Sequence, residues 1–239
     1  MPDPPGRLLV AVATYNEIDN LPALVEAILM KLPTADILIV DDDSPDGTGR
    51  WCEERSASEP RLTCLRRTGE RGLGSATLAA FRYAIDRDYD LVITMDADFS
   101  HSPDALPRLV AAVREADVAI GSRYVAGGTI EGWPRTRRLA SRLVNNASRL
   151  LAGLVPRDSS GAFRCYHVDA LRRIDLDAIR SKGFGYLEET LWHLQRARAK
   201  MVEVPITFRE RRAGRSKVHL GEAVGKLKTI CRLAVRRWR

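Results

Sequence analysis

The chain has 239 residues, of which 45% are apolar and 29% charged, and its formal net charge is +7. That length suits one domain with a substantial core and is short for two. No apolar run approaches the length of a membrane-spanning helix, and the first residues lack the regions of a secretory signal, so we expect a cytosolic protein. The four cysteines are scattered, which favours neither a zinc site nor a disulfide framework.

Apolar runs alternate with helix-periodic segments along the first half of the chain. Runs rich in β-branched residues predict strands buried on both faces, and apolar residues at i, i+3 and i+4 predict helices. The alternation predicts an α/β fold built on a mainly parallel sheet. In chain order the predicted elements are strand 8–14, helix 20–32, strand 36–42, helix 48–55, strand 61–67, helix 75–87, strand 90–96, a helix that opens at Ser102-Pro103, and strand 117–123.

Polar residues stand at the ends of four predicted strands, at 14–17, 41–44, 96–98 and 121–123, and three of these ends are acidic. Ligands of parallel α/β sheets bind at the carboxyl ends of the strands. An acidic edge is a poor place for an anionic ligand unless a cation is bound there too. The pattern therefore indicates a ligand site that includes a cation.

Asp96 and Asp98 mark the end of the fourth predicted strand. In extended chain, residues i and i+2 point the same way, so both carboxylates can reach one small volume, where they repel each other unless a cation holds them. Hard divalent ions take oxygen ligands and leave positions for phosphate oxygens, so we predict Mg²⁺ or Mn²⁺ here. The alternative is that Asp98 merely belongs to the turn before the next helix, since a lone D-x-D pattern is weakly specific.

The second predicted strand runs into VDDDSPDGTGR, residues 40–50. Residues 44–47 have the signature of a type I turn, with Pro second and Gly fourth, which leaves three successive aspartates unexplained. Asp42 could accept hydrogen bonds from a ribose or a base edge, as acidic residues do in nucleotide-binding folds. The first strand is followed by TYNEIDN instead of G-x-G-x-x-G, which argues against NAD or FAD.

The C-terminal part is strongly basic, since residues 196–239 carry fourteen Lys and Arg against three acids. Such a surface could meet nucleic acid, an anionic membrane or phosphate-bearing substrates, or could simply be solvated. Nucleic-acid binding is disfavoured because the chain is only 6% aromatic and has no recognition motif. From residue 219 onward, apolar residues at helical spacing predict a basic amphipathic helix that either packs on the domain or lies at a membrane interface.

Several segments together resemble one family. TYNE, DDDSPDGTG, RTGERGLGSA and MDADFSH are similar to the family-2 glycosyltransferases of the GT-A fold. GSRYVAGGTIEGWPRTRRLASRLVN, DSSGAFRCY, SKGFGYLEE and VPITFRERRAGRSK resemble, within that family, the dolichol-phosphate or polyprenol-phosphate mannosyltransferases. The resemblance runs from about Leu8 to Leu220. One departure is Ala13, where the family commonly has Pro.

The resemblance implies a GT-A catalytic domain over residues 1–220, followed by the basic helix 221–239. It implies metal-dependent transfer of mannose, with inversion, from GDP-mannose to a polyprenyl monophosphate. It also implies a place on the cytoplasmic face of a membrane, with a small membrane-anchoring partner as one way of reaching the lipid.

Roles for individual residues also come from the resemblance. The implied donor-binding residues are Ala13, Tyr15, Glu17, Val40, Asp42, Asp96, Ala97, Asp98, Arg211 and Lys217. The implied acceptor-phosphate residues are Arg123, Arg137 and Ser141, the implied metal ligands are Asp96, Asp98 and, more weakly, Ser100, and the implied catalytic residues are Asp96, Asp98 and Arg123.

Other interpretations stay open at this point. The chain could transfer glucose or another sugar to a polyprenyl phosphate, act on a polysaccharide, or be a non-catalytic relative, although its intact motifs count against the last. Arg123 could be only a salt-bridge partner of the acidic cluster, and Arg137, in RTRR, could be surface decoration.

Overall fold

The computed structural model describes residues 6–181, 183–210 and 220–237. The strands are β1 Leu8–Thr14, β2 Asp36–Asp41, β3 Leu62–Arg66, β4 Leu91–Asp96, β5 Val118–Ser122, β6 Thr129–Ile130, β7 Arg164–His167, β8 Met201–Pro205 and β9 Thr207–Phe208. The helices are α1 Leu21–Lys31, α2 Thr48–Ser56, α3 Leu73–Asp86, α4 Leu106–Ala112, α5 Arg135–Ala152, α6 Val168–Arg172, α7 Tyr186–Arg196 and α8 Leu220–Arg237. Single 3₁₀ turns lie at Pro103–Ala105 and Leu176–Ala178.

The central sheet has seven strands in the order β3-β2-β1-β4-β7-β5-β8, and β6 and β9 pair in a small second sheet. β1 to β4 are parallel neighbours, so the predicted α/β architecture with a mainly parallel sheet is confirmed. β7 lies antiparallel between β4 and β5 and was not predicted. Its sequence, RCYH, lacks the apolar run that marks the other central strands, and pairing on both sides stabilises it instead.

All five predicted strands are present, and β1 has the predicted bounds. The helix predicted to open at Ser102-Pro103 begins as the 3₁₀ turn Pro103–Ala105 and continues as α4. Ser102 caps it as expected, because its hydroxyl accepts a hydrogen bond of 3.3 Å from the Asp104 amide. The sequence signals for the start of this helix are therefore confirmed, although its first turn is a 3₁₀ turn, which is tighter than an α-helix.

Two apolar layers cover the faces of the sheet. Successive side chains of β1 point to opposite faces of the sheet. Leu9 belongs to the apolar layer that contains residues of α3 and α7, and Val10 to the layer that contains residues of α1 and α4. Both faces are fully buried, and each large apolar side chain contributes about 1.5–3 kcal/mol on burial. Most polar side chains of β1, β2 and β4 therefore lie where the strands end, and Thr94 within β4 is a buried exception.

The C-terminal helix α8 packs against α5 and α7. Ile230 and Leu233 are buried in the interface, while Leu227 and Val235 are about half exposed, at 55% and 56%. Of the two alternatives for the basic amphipathic helix, packing on the domain is thus observed, with apolar side chains left on the outer side. Within residues 6–181, 183–210 and 220–237, no helix is both long and apolar enough to cross a bilayer.

Candidate active site

The carboxyl ends of β1, β2 and β4 bring together three residues that the resemblance assigned to the donor. In the parallel register, Ala13 of β1 is the partner of Val40 on one side and of Asp96 on the other. The same three residues line a narrow hollow whose opposite wall comes from α3 and Tyr186. Ala13 is thereby placed beside two residues that follow it by 27 and 83 positions in the sequence, because parallel strands end at the same edge.

The loop after β4 holds the second carboxylate. Ser100 donates its amide to Asp98 Oδ1 at 3.0 Å, and Phe99 between them has a positive φ of 59°. Asp98 and Ser100 are both buried, and Ser100 Oγ has no hydrogen-bond partner in the described part of the chain. A buried hydroxyl without a partner costs free energy unless something binds it, which indicates an absent ligand at this point.

His101 closes the back of this loop. Its ring stacks on Phe163 at 5.0 Å between centroids, and its Nδ1 accepts a 3.2 Å hydrogen bond from the Asp96 amide. Burial lowers the pKa of His101 to about 4. The imidazole is therefore neutral near pH 7 and positions the Asp96 backbone, and its acceptor nitrogen is already occupied.

The residues present fit a divalent cation that shares its ligands with a substrate. Among the described residues, no group of three or more His, Cys, Asp and Glu side chains could hold a metal ion. Asp96, Asp98 and the unpartnered Ser100 hydroxyl offer only oxygen atoms. Mg²⁺ is commonly held by one or two carboxylates together with substrate phosphates, so an incomplete set of this kind suits a metal that binds with a nucleotide.

Asp41, the last residue of β2, and Asp42, which follows it, have different partners. Asp41 accepts hydrogen bonds from Thr14 at 3.0 Å and from the Ser44 hydroxyl at 2.6 Å, so it stabilises the loop. Asp42 forms a largely buried ion pair with Arg67 and also accepts a 2.8 Å hydrogen bond from the Gly72 amide. No sequence motif marks Arg67 as the partner of Asp42. The nucleoside-binding role of Asp42 stays a prediction.

The SPDGT segment binds the TYNE loop through side chains. The Asn16 amide donates to Ser44 Oγ at 3.0 Å, the Glu17 amide to Thr48 Oγ1 at 3.0 Å, and the Ile18 amide to Asp46 Oδ2 at 3.1 Å. Two of the motifs that carried the family resemblance are thus one structural unit. The unit fixes the chain at the end of β1, where Tyr15 lies under the guanidinium of Arg71, 4.7 Å from its ring centroid.

Arg123 is buried and held in a bidentate ion pair. Its Nε and Nη2 each lie 2.7 Å from a carboxylate oxygen of Asp158, and its backbone amide donates to the same carboxylate at 3.0 Å. Burial opposes ionisation of Asp158, but the guanidinium outweighs it and holds the pKa of that carboxyl below its usual range. Arg123 therefore makes a salt bridge, but its partner is Asp158 of DSSGAFR and not the acidic cluster, and its phosphate-binding role stays a prediction.

The predicted acceptor-phosphate residues gather around two aromatic rings. Arg137 stacks on Trp133 at 4.0 Å and Arg123 lies 5.5 Å from the same ring. Ser141 accepts a 2.7 Å hydrogen bond from the Tyr124 hydroxyl, whose ring lies 5.4 Å from Arg123. The structure thus brings all three residues to one region, but Arg137 also pairs with Glu210 at 3.0 Å. Their roles stay predictions.

The remaining predicted residues divide into two groups. Glu17 lies on the TYNE loop and accepts a hydrogen bond of 3.0 Å from Asn20, and Ala97 is buried between the two aspartates. Arg211 and Lys217 lie outside the described residues. The buried carboxylates of Glu188 and Glu189 pair with Lys226 and Arg232 of α8.

The comparisons with known proteins now bear on this site. The model of glycosyl transferase family 2 matches residues 9–175. The chain belongs to glycosyl transferase family 2. It is therefore an enzyme that transfers a glycosyl group, and the acidic edge of β1, β2 and β4 is the candidate active site of a glycosyltransferase.

Three curated relatives are similar to this glycosyltransferase over about nine-tenths of its length. Undecaprenyl-phosphate mannosyltransferase of Micrococcus luteus is 46% identical over 221 residues, which cover 91% of either chain. Polyprenol monophosphomannose synthase of Mycolicibacterium smegmatis is 44% identical, over 90% of this chain and 82% of its own. Dolichol-phosphate mannosyltransferase of Pyrococcus furiosus is 36% identical, over 89% of this chain and 59% of its own.

Solved structures support the fold. Glucosyl-3-phosphoglycerate synthase of Mycobacterium tuberculosis, crystallised with Mn²⁺, UDP-glucose and phosphoglyceric acid, superposes with a TM-score of 0.70 at 17% identity, over 97% of this glycosyltransferase and 80% of that chain. At this identity the likeness concerns the fold alone. The expectation of a GT-A glycosyltransferase domain is confirmed.

Proposed function

We propose that this glycosyltransferase moves a mannosyl group from GDP-mannose to a polyprenyl monophosphate of the dolichyl type, with inversion, and releases GDP. The observation that carries the proposal is the register of β1, which aligns Ala13, Val40 and Asp96 in a chain 46% identical to an undecaprenyl-phosphate mannosyltransferase. Neither observation identifies the nucleotide or the sugar, which are therefore the first things to test.

The donor would lie along the carboxyl edge of the sheet. Guanosine would contact Val40, Asp42 and the TYNE loop at Tyr15 and Glu17, and the diphosphate would lie next to Asp96, Ala97 and Asp98. Arg211 and Lys217 would contact phosphate groups from the segment that precedes α8. The side-by-side placement of Ala13, Val40 and Asp96 at this edge supports the arrangement, because ligands of parallel α/β sheets bind at the carboxyl ends of the strands.

Asp96, Asp98 and Ser100 would hold Mg²⁺ or Mn²⁺. A divalent ion bound there would neutralise the negative charge that develops on the departing diphosphate. The unpartnered Ser100 hydroxyl supports the third ligand, and the hydrogen bond from the Ser100 amide to Asp98 Oδ1 restrains the Asp98 carboxylate.

The acceptor needs little help with proton transfer. A phosphate monoester has a second pKa near 6, so at neutral pH it is largely a dianion and its oxygen can attack without a general base. His101 is unsuited to that role, because its Nδ1 is occupied by the Asp96 amide. We propose that Arg123, Arg137 and Ser141 bind the acceptor phosphate and offset the repulsion between the two anions.

The step is then a direct displacement. A phosphate oxygen of the acceptor forms a bond to the anomeric carbon while the bond from that carbon to the diphosphate oxygen breaks, and the electron pair leaves with GDP. No proton changes place at the reacting atoms. Because Arg123 is locked by Asp158, it presents its remaining Nη1 in one fixed direction, which suits a group that must orient an oxygen for in-line attack.

The lipid acceptor requires contact with a bilayer. We propose that the protein works at the cytoplasmic face of a membrane as a peripheral enzyme, alone or with a small membrane-anchoring partner. The apolar side chains on the outer side of α8 and the basic character of the C-terminal part support this location.

Transfer of labelled sugar tests the proposal. GDP-mannose, UDP-glucose and UDP-N-acetylglucosamine are each offered with a short polyprenyl phosphate in neutral detergent, with Mg²⁺, Mn²⁺ or EDTA. We expect a mannosyl lipid from GDP-mannose alone, abolished by EDTA and lowered at least a hundredfold in Asp98→Asn, about the cost of removing one electrostatic group from a site. Asp104→Asn, exposed and six residues further on, is the matched control. Transfer from UDP-glucose instead would refute the mannose assignment.

A further inference from the structure

A second cavity lies beside α5 and is lined by arginines. Its volume is about 380 Å³, and the basic residues around it are Arg123, Arg142, Arg149 and Arg157. Asn145 and Asn146 add amide groups, and no acidic residue of the described chain lines it. The cavity is therefore a polar space with a strong preference for an anion.

Three of these arginines carry uncompensated charge. Arg123 is neutralised by Asp158, but the guanidinium groups of Arg142, Arg149 and Arg157 make no hydrogen bond or ion pair with the described residues. Exposed arginines without a carboxylate partner also occur elsewhere, but these three line one cavity. Converging like charges repel each other at short range, so an anion bound between them would be stabilised by all three.

Arg123 borders both the cavity and the candidate acceptor residues, but helix geometry separates the cavity arginines of α5 from Arg137 and Ser141. At about 100° per residue, Arg142 and Arg149 project within roughly 20° of each other and about 100° from the mean direction of Arg137 and Ser141. Arg142 and Arg149 are also about 10 Å apart along the axis, so the cavity extends along α5 beyond the first turns, which carry Arg137 and Ser141.

An apolar stripe runs next to the arginines. Leu139, Leu143 and Leu150 project on α5 at about 60–120° from Arg142 and Arg149, and they are 60%, 60% and 76% exposed. Val155, two residues before Arg157, is 67% exposed. Large apolar side chains that are grouped on a surface usually contact a partner. Here each of them lies within one helical turn or two residues of an arginine.

An anion beside a hydrocarbon surface is the chemistry of a phospholipid. We infer that the cavity binds the phosphate headgroup of an anionic membrane phospholipid, a lipid that is not the substrate, while the leucines of α5 enter the acyl region. Arg forms bidentate hydrogen bonds to phosphate, and amphipathic helices with a basic flank insert their apolar face at the headgroup boundary. The headgroup would thereby orient α5, and with it Arg137 and Ser141, on the bilayer surface.

Vesicle binding decides the inference. Sedimentation is measured with phosphatidylcholine vesicles that contain or lack phosphatidylglycerol, without any polyprenyl phosphate. Each arginine that lies at the surface of an anionic membrane contributes about fivefold to binding, and the contribution falls off within a Debye length. Arg142→Gln/Arg149→Gln/Arg157→Gln should therefore weaken binding to the phosphatidylglycerol vesicles on the order of a hundredfold. Leu143→Ser/Leu150→Ser should also weaken it, without changing the salt dependence.

A matched control separates the cavity from overall charge. Arg50, Arg108 and Arg114 are exposed and make no ion pair with the described residues, and they lie on or beside α2 and α4. Their triple change to Gln removes the same net charge and should alter binding by no more than a few-fold. Equal weakening by both triple variants would overturn the inference, and so would an unchanged affinity in the cavity variant. Because all six side chains are exposed, both variants should fold with unchanged thermal unfolding.

The transfer assay in neutral detergent tests whether the cavity binds the phosphate of the polyprenyl acceptor instead of a phospholipid headgroup. The cavity variant should keep the wild-type KM for the short polyprenyl phosphate. A KM raised tenfold or more would mean that the cavity belongs to the acceptor, and would overturn the inference. If the wild-type enzyme transfers no sugar at all, the proposed function fails, whereas the vesicle experiment still decides the phospholipid site.

Discussion

Replacing Asp158 by Asn leaves Arg123 buried without a counter-charge. The two carboxylate oxygens lie 2.7 Å from Nε and Nη2 of the guanidinium, and the side chains are 0% and 6% exposed. In Asp158→Asn one of these oxygens becomes an NH₂ group that faces a donor. Removing one partner of a buried ion pair costs about 3–5 kcal/mol, a large part of the roughly 5–15 kcal/mol that stabilises a typical domain.

Urea unfolding followed by circular dichroism measures this cost. Asp43→Asn is the matched control, because Asp43 also binds an arginine, Arg66, at 2.7 Å, but both side chains are more than 40% exposed. An exposed pair contributes about 0–1 kcal/mol, so the control should unfold close to the wild type.

The double variant Asp158→Asn/Arg123→Met tests the cause. If the loss in Asp158→Asn comes from an unpaired buried charge, removing that charge restores a large part of the stability. The reasoning is refuted if Asp158→Asn unfolds within about 1 kcal/mol of the control, or if the two substitutions destabilise additively. Sugar transfer should stay low in the double variant, since the proposed phosphate-orienting guanidinium is gone.

Two further predictions concern buried polar groups that lack full compensation. Ser100→Ala should leave the unfolding midpoint in EDTA unchanged or slightly raised, because the Ser100 hydroxyl has no partner among the described residues. The Mn²⁺-dependent affinity for GDP, measured by calorimetry, should fall about tenfold, because a metal ligand is lost. A midpoint lowered in EDTA together with an unchanged affinity would contradict the metal role. Burial raises the pKa of Glu188 from its usual 4.5 despite the ion pair with Lys226. The folded protein therefore binds this proton more tightly than the unfolded chain, so stability rises as the pH falls through the folded pKa, until the gain is complete below 4.5. Glu188→Gln should remove this component from the free energy of unfolding measured against pH, and an unchanged pH dependence would contradict it.

Local signals predicted the parts of the fold that depend on neighbours in sequence. β1 to β5 were predictable because each is an apolar run with turn residues at its end, and Ser102 because capping involves residues only two positions apart. β7 was missed because its four residues contain Arg164, whose guanidinium is buried only through hydrogen bonds to the Ser159 and Leu187 carbonyls. No local sequence pattern predicts a buried arginine in a central strand.

The candidate site divides in the same way. Asp96 and Asp98 were recognisable from a spacing of two and the end of a strand. Asp158, the partner of Arg123, and Arg67, the partner of Asp42, were not, because each partner lies on another element and is chosen by the packing of side chains at long sequence separation.

The sequence by itself determined the order of strands and helices as far as β5, the acidic edge and the family, since all of these are encoded in short segments with their own periodicity or motif. Only the tertiary structure decided which charges are compensated: Arg123 is paired with Asp158, and Arg142, Arg149 and Arg157 are left to face a cavity. The reason is that the energetic effect of a charge depends on the groups within a few ångströms of it. Those groups come together only when the sheet and α5 are assembled.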